Sequence, residues 1–164
     1  MNDISHLVDS DAKKAVDGAE VLVRLLNSPL MYDAIKGQVT PDAFDLRCFS
    51  NGKNEEYLSL GRMSKFLLES DFKKYLRQGY NIFDKKKRGN FIGYGTFKYS
   101  EALRISNNSV EVNPLLNSPE YHVGMFYKNE QGGYYEGSLK KKNMEMVELL
   151  KDLADLLEKN ITIL

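Results

Sequence analysis

The sequence has little cysteine, little proline and no tryptophan, and neither sign of charge is in excess. Its 164 residues include one cysteine, Cys48, and four prolines. A single thiol excludes an internal disulfide framework and a zinc site built from several cysteines. The 23 basic and 23 acidic side chains give a formal net charge of zero. This balance argues against broad electrostatic attraction to nucleic acid or to an anionic membrane.

Long apolar runs are also missing. No window approaches the roughly 18 apolar residues of a membrane span, and the most apolar early stretch, 21–26, is interrupted by Arg24. The N-terminus lacks the basic region and apolar core of a secretory signal. We therefore expect a cytoplasmic protein of bacterial or phage type, in which the lone thiol stays reduced.

Motifs that bind phosphates, dinucleotides or metals are absent as well. The chain has no Walker loop, no dinucleotide fingerprint, no metalloprotease histidine pair and no calcium loop. His6 and His122 are the only histidines, so a transition-metal site would need carboxylates from distant positions. We predict neither a metal nor a cofactor.

The length and the 42% hydrophobic content suit one globular domain spanning residues 1–164. Three segments show helical spacing of apolar residues. The first is an N-terminal helical unit, 10–36, with Ser10 as a cap, Pro29 at the start of a second helix and Gly37 just past its end. The second is an inserted helix, 64–83, and the third is a long C-terminal helix, 139–159, with a Met-Leu stripe typical of a core-facing surface.

Between these helices, alternating apolar and polar residues predict strands within residues 43–136. The predicted strands are 44–48, 57–60, 91–99, 110–112, 121–127 and 134–136, with Asn51-Gly52 as a hairpin turn. The expected fold is therefore α+β: a mostly antiparallel sheet of five to six short strands, with a helical N-terminus, one inserted helix and a C-terminal cover helix.

Several residues are candidates for catalysis. His122 lies where a loop containing Pro119 enters a strand, a place from which an imidazole can act as a general base or simply pack at a sheet edge. Arg47, Ser59 and Glu136 are of the residue types that ADP-ribosyl transferases use, with Arg holding a phosphate and Glu stabilising an oxocarbenium-like centre; the alternative for Glu136 is a solvated surface group. Cys48 is either a nucleophile near His122 or a small buried hydrophobe.

Two further groups are candidates for binding. Tyrosines on the predicted sheet, among them Tyr94, Tyr121, Tyr134 and Tyr135, suit a recognition surface, although tyrosine also has high strand propensity. The basic run Lys85, Lys86, Lys87 and Arg88 is either a solvated loop or a contact for nucleic-acid phosphates.

From the second predicted strand onward, the order of motifs resembles a loose group of uncharacterised bacterial proteins. The shared features are Leu58-Ser59-Leu60, Gly93-Tyr94-Gly95, a valine-containing strand ending at Pro114, and the Pro-X-X-His strand entrance from Pro119 to His122. The resemblance covers about half of the chain. It implies no activity, but it draws attention to Ser59 and His122.

Three functional hypotheses follow. The first is a protein that binds another protein through its tyrosine-rich sheet, a role that fits an accessory of a defence, toxin-neutralising or regulatory system. The second is an enzyme with a cleft at His122 that acts on a nucleotide or phosphodiester, with Arg47 or Arg62 holding the anion and Ser59 or Tyr121 nearby. The third is nucleic-acid binding through residues 85–88. The oligomeric state stays open.

Overall fold

The computed structural model describes residues 2–84 and 88–164. Its strands are β1 (Val21–Ser28), β2 (Tyr32–Asp33), β3 (Gln38–Val39), β4 (Leu58–Arg62), β5 (Asn90–Lys98), β6 (Val110–Pro114), β7 (His122–Tyr127) and β8 (Ile161–Ile163). Six of them form an antiparallel sheet with the order β6-β7-β4-β1-β5-β8, and β2 and β3 form a separate two-stranded hairpin.

Three α-helices accompany the sheet: α1 (Glu69–Gly79), α2 (Tyr99–Ile105) and α3 (Met144–Glu158). Helix α1 continues into a π-helical turn, Tyr80–Asp84. Short 3-10 turns are formed by Ala12–Lys14, Pro41–Ala43, Met63–Lys65 and Leu139–Lys141. The predicted α+β class with a mostly antiparallel sheet is confirmed, and so are the inserted helix and the C-terminal cover helix.

Helices α1 and α3 pack on opposite faces of the sheet, and glycines make both contacts possible. A Cβ atom on Gly95 of β5 would lie 2.6 Å from the Leu157 side chain of α3. A Cβ atom on Gly61 of β4 would lie 3.0 Å from the ring of Tyr75 in α1. Because the sheet places residues alternately on its two faces, the pairings Arg24↔Gly95 and Val23↔Gly61 put these glycines on opposite sides.

The prediction of a helical N-terminus over 10–36 is wrong. The central part of this segment is β1, a strand at the middle of the sheet. Helical structure in the segment is limited to the 3-10 turn Ala12–Lys14. Pro29 follows β1 instead of beginning a helix. Gly37 does adopt the left-handed conformation (φ 66°), but in the turn between β2 and β3, where its N–H donates to the Asp33 carbonyl at 2.8 Å.

The cause of this error is that β1 is covered on both faces. Leu22, Val23, Leu25 and Leu26 are all buried. A strand buried on both sides loses the alternation of apolar and polar residues, and its continuous apolar run then matches a helical spacing equally well.

The predicted strand 44–48 is also wrong. Phe44 and Leu46 are buried, but the backbone between them does not join a sheet ladder. Instead of a neighbouring strand, the Asp45 carboxylate accepts hydrogen bonds here, from the N–H groups of Leu46 (3.0 Å) and Leu139 (2.6 Å). Cys48 forms one isolated bridge with Asn54 and is exposed, so it is not the buried hydrophobe expected of a strand.

Two smaller differences concern the later strands. The segment 134–136 forms only a single bridge, between Tyr134 and Lys128. The C-terminal strand β8 was not predicted, because Ile161-Thr162-Ile163 is too short to show a period; it pairs with β5 at Gly93, Tyr94 and Gly95. Within residues 2–84 and 88–164, no helix is both long and apolar enough to cross a membrane.

Candidate functional site

The site lies where the sheet divides between β1 and β4. These two strands are paired only at Leu22↔Arg62 and Val23↔Gly61. Beyond that point β1 continues along β5 as far as Ser28, while β4 continues along β7 from Gly61 to Leu58. The two strands therefore diverge on the side of Ser59, and a cavity opens next to the divergence.

The cavity has a volume of about 440 Å³, within the range of pockets that hold small-molecule ligands. Strands β1, β4 and β7, helix α1 with its π-helical turn, and the loops around them all contribute to its wall. Its lining residues are Arg24, Leu25, Met31, Arg47, Glu55, Ser59, Tyr75, Gln78, Ile82, Phe83, Arg88, Pro119, Tyr121 and His122.

Three candidates from the sequence, Arg47, Ser59 and His122, meet in this cavity. Strand pairing explains two of them, because Gly61 faces His122 and Ser59 faces Gly124 across β4 and β7. The Ser59 hydroxyl therefore comes within 3.4 Å of His122 Nε2. The other ring nitrogen, Nδ1, lies 3.3 Å from the Ser118 hydroxyl.

The imidazole of His122 is fixed from both sides and is largely shielded from water. Burial lowers the pKa of His122 below its ordinary value, so the ring is neutral at neutral pH. When Nδ1 carries the proton and donates to Ser118, the lone pair of Nε2 points to Ser59 and the cavity. This arrangement is the one that a general base requires.

Arg24 was not predicted as a site residue, yet it occupies the gap between the diverging strands. Its Nε donates to the Ala43 carbonyl at 2.8 Å, and its Nη1 donates to the Ser59 carbonyl at 3.2 Å. Burial lowers the pKa of Arg24, and the charge of nearby Arg47 acts in the same direction. The signal in the sequence is an arginine that interrupts an apolar run. Burying its charge costs free energy unless hydrogen bonds or an opposite charge compensate it.

Arg47 is held by the loop that leads to β4. Its N–H donates to Glu55 Oε1 at 2.7 Å, its carbonyl accepts from the Glu55 N–H at 2.8 Å, and its guanidinium lies 5.1 Å from the ring centre of Phe49. Burial lowers the pKa of Arg47, and the charge of Arg88 lowers it further. Two like charges that line the cavity are therefore close enough to repel each other.

The acidic group in the cavity is Glu55, not the Glu136 suggested by the sequence. Glu136 is exposed and does not line the cavity. Arg62, the other candidate for holding an anion, is buried elsewhere, with its Nε 2.8 Å from Glu20 Oε1. Cys48 is also outside the cavity, so the structure does not bring it to His122.

An aromatic wall faces these polar groups. Tyr75 is buried against Gly61, and Tyr121 stacks on Phe66 with ring centres 5.0 Å apart. Gln78 of α1 donates to the Tyr121 hydroxyl at 3.1 Å. The cavity therefore combines cationic groups with ring surfaces that suit an aromatic part of a ligand.

The tyrosines proposed for protein recognition do not form one exposed surface. Tyr94, Tyr121, Tyr134 and Tyr135 are each only half-exposed or less. Their contacts are also separate: Tyr94 packs on Phe72, Tyr134 packs on Phe126 and donates to Glu111, and the Tyr135 hydroxyl accepts from Asn143. Binding of another protein stays a prediction, without the exposed aromatic patch on which it was based.

Only the last residue of the basic run 85–88 is among the residues that the structure describes. Lys85, Lys86 and Lys87 lie outside the described residues. Arg88 lies within the described residues and lines the cavity together with Arg24 and Arg47. Across the described ranges, no three His, Cys, Asp or Glu side chains are grouped so that they could hold a metal ion.

No protein-family model, no curated protein and no solved structure matches this chain.

Proposed function

We propose that this protein is an enzyme that acts on a nucleotide or a phosphodiester in the cavity at His122. The observation that supports it most directly is the pairing of His122 Nε2 with the Ser59 hydroxyl, 3.4 Å apart, in a cavity that three arginines also line. A neutral imidazole next to guanidinium groups that have no carboxylate partner suits a reaction at or near a phosphate.

Each side chain has a distinct task in this proposal. Arg47 and Arg88 bind the phosphate, because guanidinium groups match its oxygens in charge and geometry. His122 Nε2 accepts the proton of the attacking hydroxyl as that oxygen bonds to phosphorus; the P–O bond to the leaving alkoxide breaks, and the imidazolium returns the proton to that alkoxide. Ser118 keeps the ring oriented through Nδ1. Ser59 positions that hydroxyl or supplies it.

The experiment compares turnover of nucleotides and phosphodiesters by the wild type and two histidine variants. The substrates are a panel of nucleoside monophosphates, nucleoside diphosphates and dinucleotides, followed by phosphorus NMR and by chromatography of the bases. His122→Gln removes the base and is expected to lower kcat by about a hundredfold or more. His6→Gln, at the exposed histidine outside the cavity, is the matched control and keeps the wild-type rate.

Two results would contradict the proposal. One is a wild-type protein that converts no member of the panel. The other is His122→Gln protein with the same kcat and KM as the wild type while both are folded by circular dichroism.

A further inference from the structure

We propose that the cavity selects a phosphate group with two negative charges, as in a nucleoside monophosphate, over a singly charged phosphodiester. This inference rests on the proposed function and narrows its substrate class. It follows from the number and the pairing of the charges that line the cavity.

The first step is the charge balance of the lining. Among the described residues, three arginines and one glutamate face the cavity: Arg24, Arg47, Arg88 and Glu55. With His122 neutral, the lining has two positive charges in excess. A phosphate monoester above its second pKa of about 6 has a charge close to −2 and balances them, whereas a diester has only one charge.

The second step is that these arginines have no acidic partner in the described part of the chain. None of the guanidinium groups of Arg24, Arg47 and Arg88 lies within 4.0 Å of a carboxylate oxygen, although Arg62 in the same fold has such a partner. Charges that are partly removed from water destabilise a protein unless other polar groups compensate them, as the carbonyls of Ala43 and Ser59 do for Arg24. They are retained where a ligand of opposite charge pairs with them.

The third step is the mutual repulsion of the arginines. The charge of Arg88 acts on Arg47, and that of Arg47 acts on Arg24, so the three form one cluster in which the charge of Glu55 offsets part of the repulsion. Arg24 is fixed by two backbone carbonyls, and Arg47 is fixed by its backbone contacts with Glu55. A dianion placed among them relieves the repulsion without any rearrangement of the backbone, and a monoanion relieves only part of it.

The test measures binding of matched ligand pairs that differ by one charge. The pairs are the 5′-monophosphates of adenosine, guanosine, cytidine and uridine, each beside the methyl ester of the same phosphate. Binding is measured by titration calorimetry at about pH 8, where a phosphate monoester is fully dianionic. We expect at least one monophosphate to bind about tenfold or more tightly than its methyl ester, as the loss of one charge-assisted contact implies.

A pair of arginine variants locates the effect. Arg47→Gln is expected to weaken binding of the monophosphate and to reduce its preference over the ester to about threefold or less. Arg104→Gln, at an exposed arginine of α2 that does not line the cavity, keeps the wild-type preference. Melting curves of both variants verify that each is folded.

The outcomes separate this inference from the proposed function. Methyl esters that bind as tightly as the monophosphates overturn the charge selection and leave an enzyme for phosphodiesters intact. A preference for the dianion together with full activity of His122→Gln overturns the catalytic proposal and supports the charge selection. Absence of binding for every monophosphate and every ester overturns the inference.

Discussion

At the scale of single residues, the burial of the His122 ring has a consequence for stability that does not depend on any substrate. Burial lowers the pKa of His122 in the folded protein, while the unfolded chain protonates near the ordinary value of about 6.5. The unfolded state therefore takes up the proton first as the pH falls. The stabilising effect of the neutral ring is fully present above about pH 6.5 and is lost as the pH falls toward the lower pKa of the folded state.

This predicts a difference between the wild type and His122→Gln in the pH dependence of unfolding. Between pH 8 and pH 5, the wild type is expected to lose more of its free energy of unfolding than the variant, since glutamine does not titrate in that interval. Urea titrations across the interval give the measurement, and an NMR titration of the imidazole gives the midpoint. An imidazole titration midpoint at or above about pH 6.5 would contradict this prediction.

Part of the site could be predicted from individual residues, because the residue type alone gives the chemistry of a side chain. The sequence indicates His122 and Ser59 as candidates, and β4 and β7 place them 3.4 Å apart. Glu55 was not among the candidates. Which of several glutamates reaches a cavity depends on the path of a loop, and here the loop returns Glu55 to the backbone of Arg47.

At the scale of elements, an ion pair fastens the N-terminal segment to the end of β4. Arg62 donates through Nε to Glu20 at 2.8 Å and through Nη1 to the Lys14 carbonyl at 2.6 Å, and the Ser64 hydroxyl donates to Glu20 at 2.6 Å. Burial alone raises the pKa of Glu20, but the hydrogen bonds from Ser64 and Arg62 outweigh it and leave the pKa below its usual value. The carboxylate is therefore charged in the fold.

Removing one residue of this ion pair is expected to lower the free energy of unfolding more than removing both. Arg62→Met leaves a buried carboxylate unpaired and should lower the free energy of unfolding by about 3 kcal/mol, and Glu20→Gln/Arg62→Met should lower it by less. The control is Lys73→Met, which breaks the exposed pair with Glu69 and should change stability by about 0.5 kcal/mol at most. Equal losses in Arg62→Met and Lys73→Met, measured by urea unfolding, would contradict the structural role of this pair.

The exposure of each element explains why the elements of the C-terminal half were predicted better than those of the N-terminal half. Helix α3 has one buried and one exposed face, so its period is visible in the sequence. Strand β1 lies between β4 and β5 with helices over both faces, and its sequence has no exposed face to mark the period. A central position in a sheet is a property of the tertiary structure, and local spacing does not encode it.

At the scale of the whole molecule, the divided sheet is the feature that opens a cavity beside the antiparallel strands. Strands β5, β8 and β1 form one half, and β4, β7 and β6 form the other. Two residue pairs join the halves directly, and Arg24 spans the gap beyond them through the carbonyls of Ala43 and Ser59. No pattern in the sequence indicates such a division, because register and pairing are set by contacts between distant segments.

If Arg24 holds the two halves together as well as lining the cavity, its loss should destabilise the entire fold. Arg24→Met keeps much of the side-chain volume but leaves the carbonyls of Ala43 and Ser59 without their donor, so we expect the free energy of unfolding to fall by about 3 kcal/mol. Because Arg24 touches both halves, urea unfolding should still follow a single transition, shifted to lower urea with its slope unchanged. Arg104→Met, at the exposed site on α2, should shift the transition by about 0.5 kcal/mol or less. A variant with two separate transitions would show that the halves unfold independently, and a variant as stable as Arg104→Met would show that the halves do not depend on Arg24.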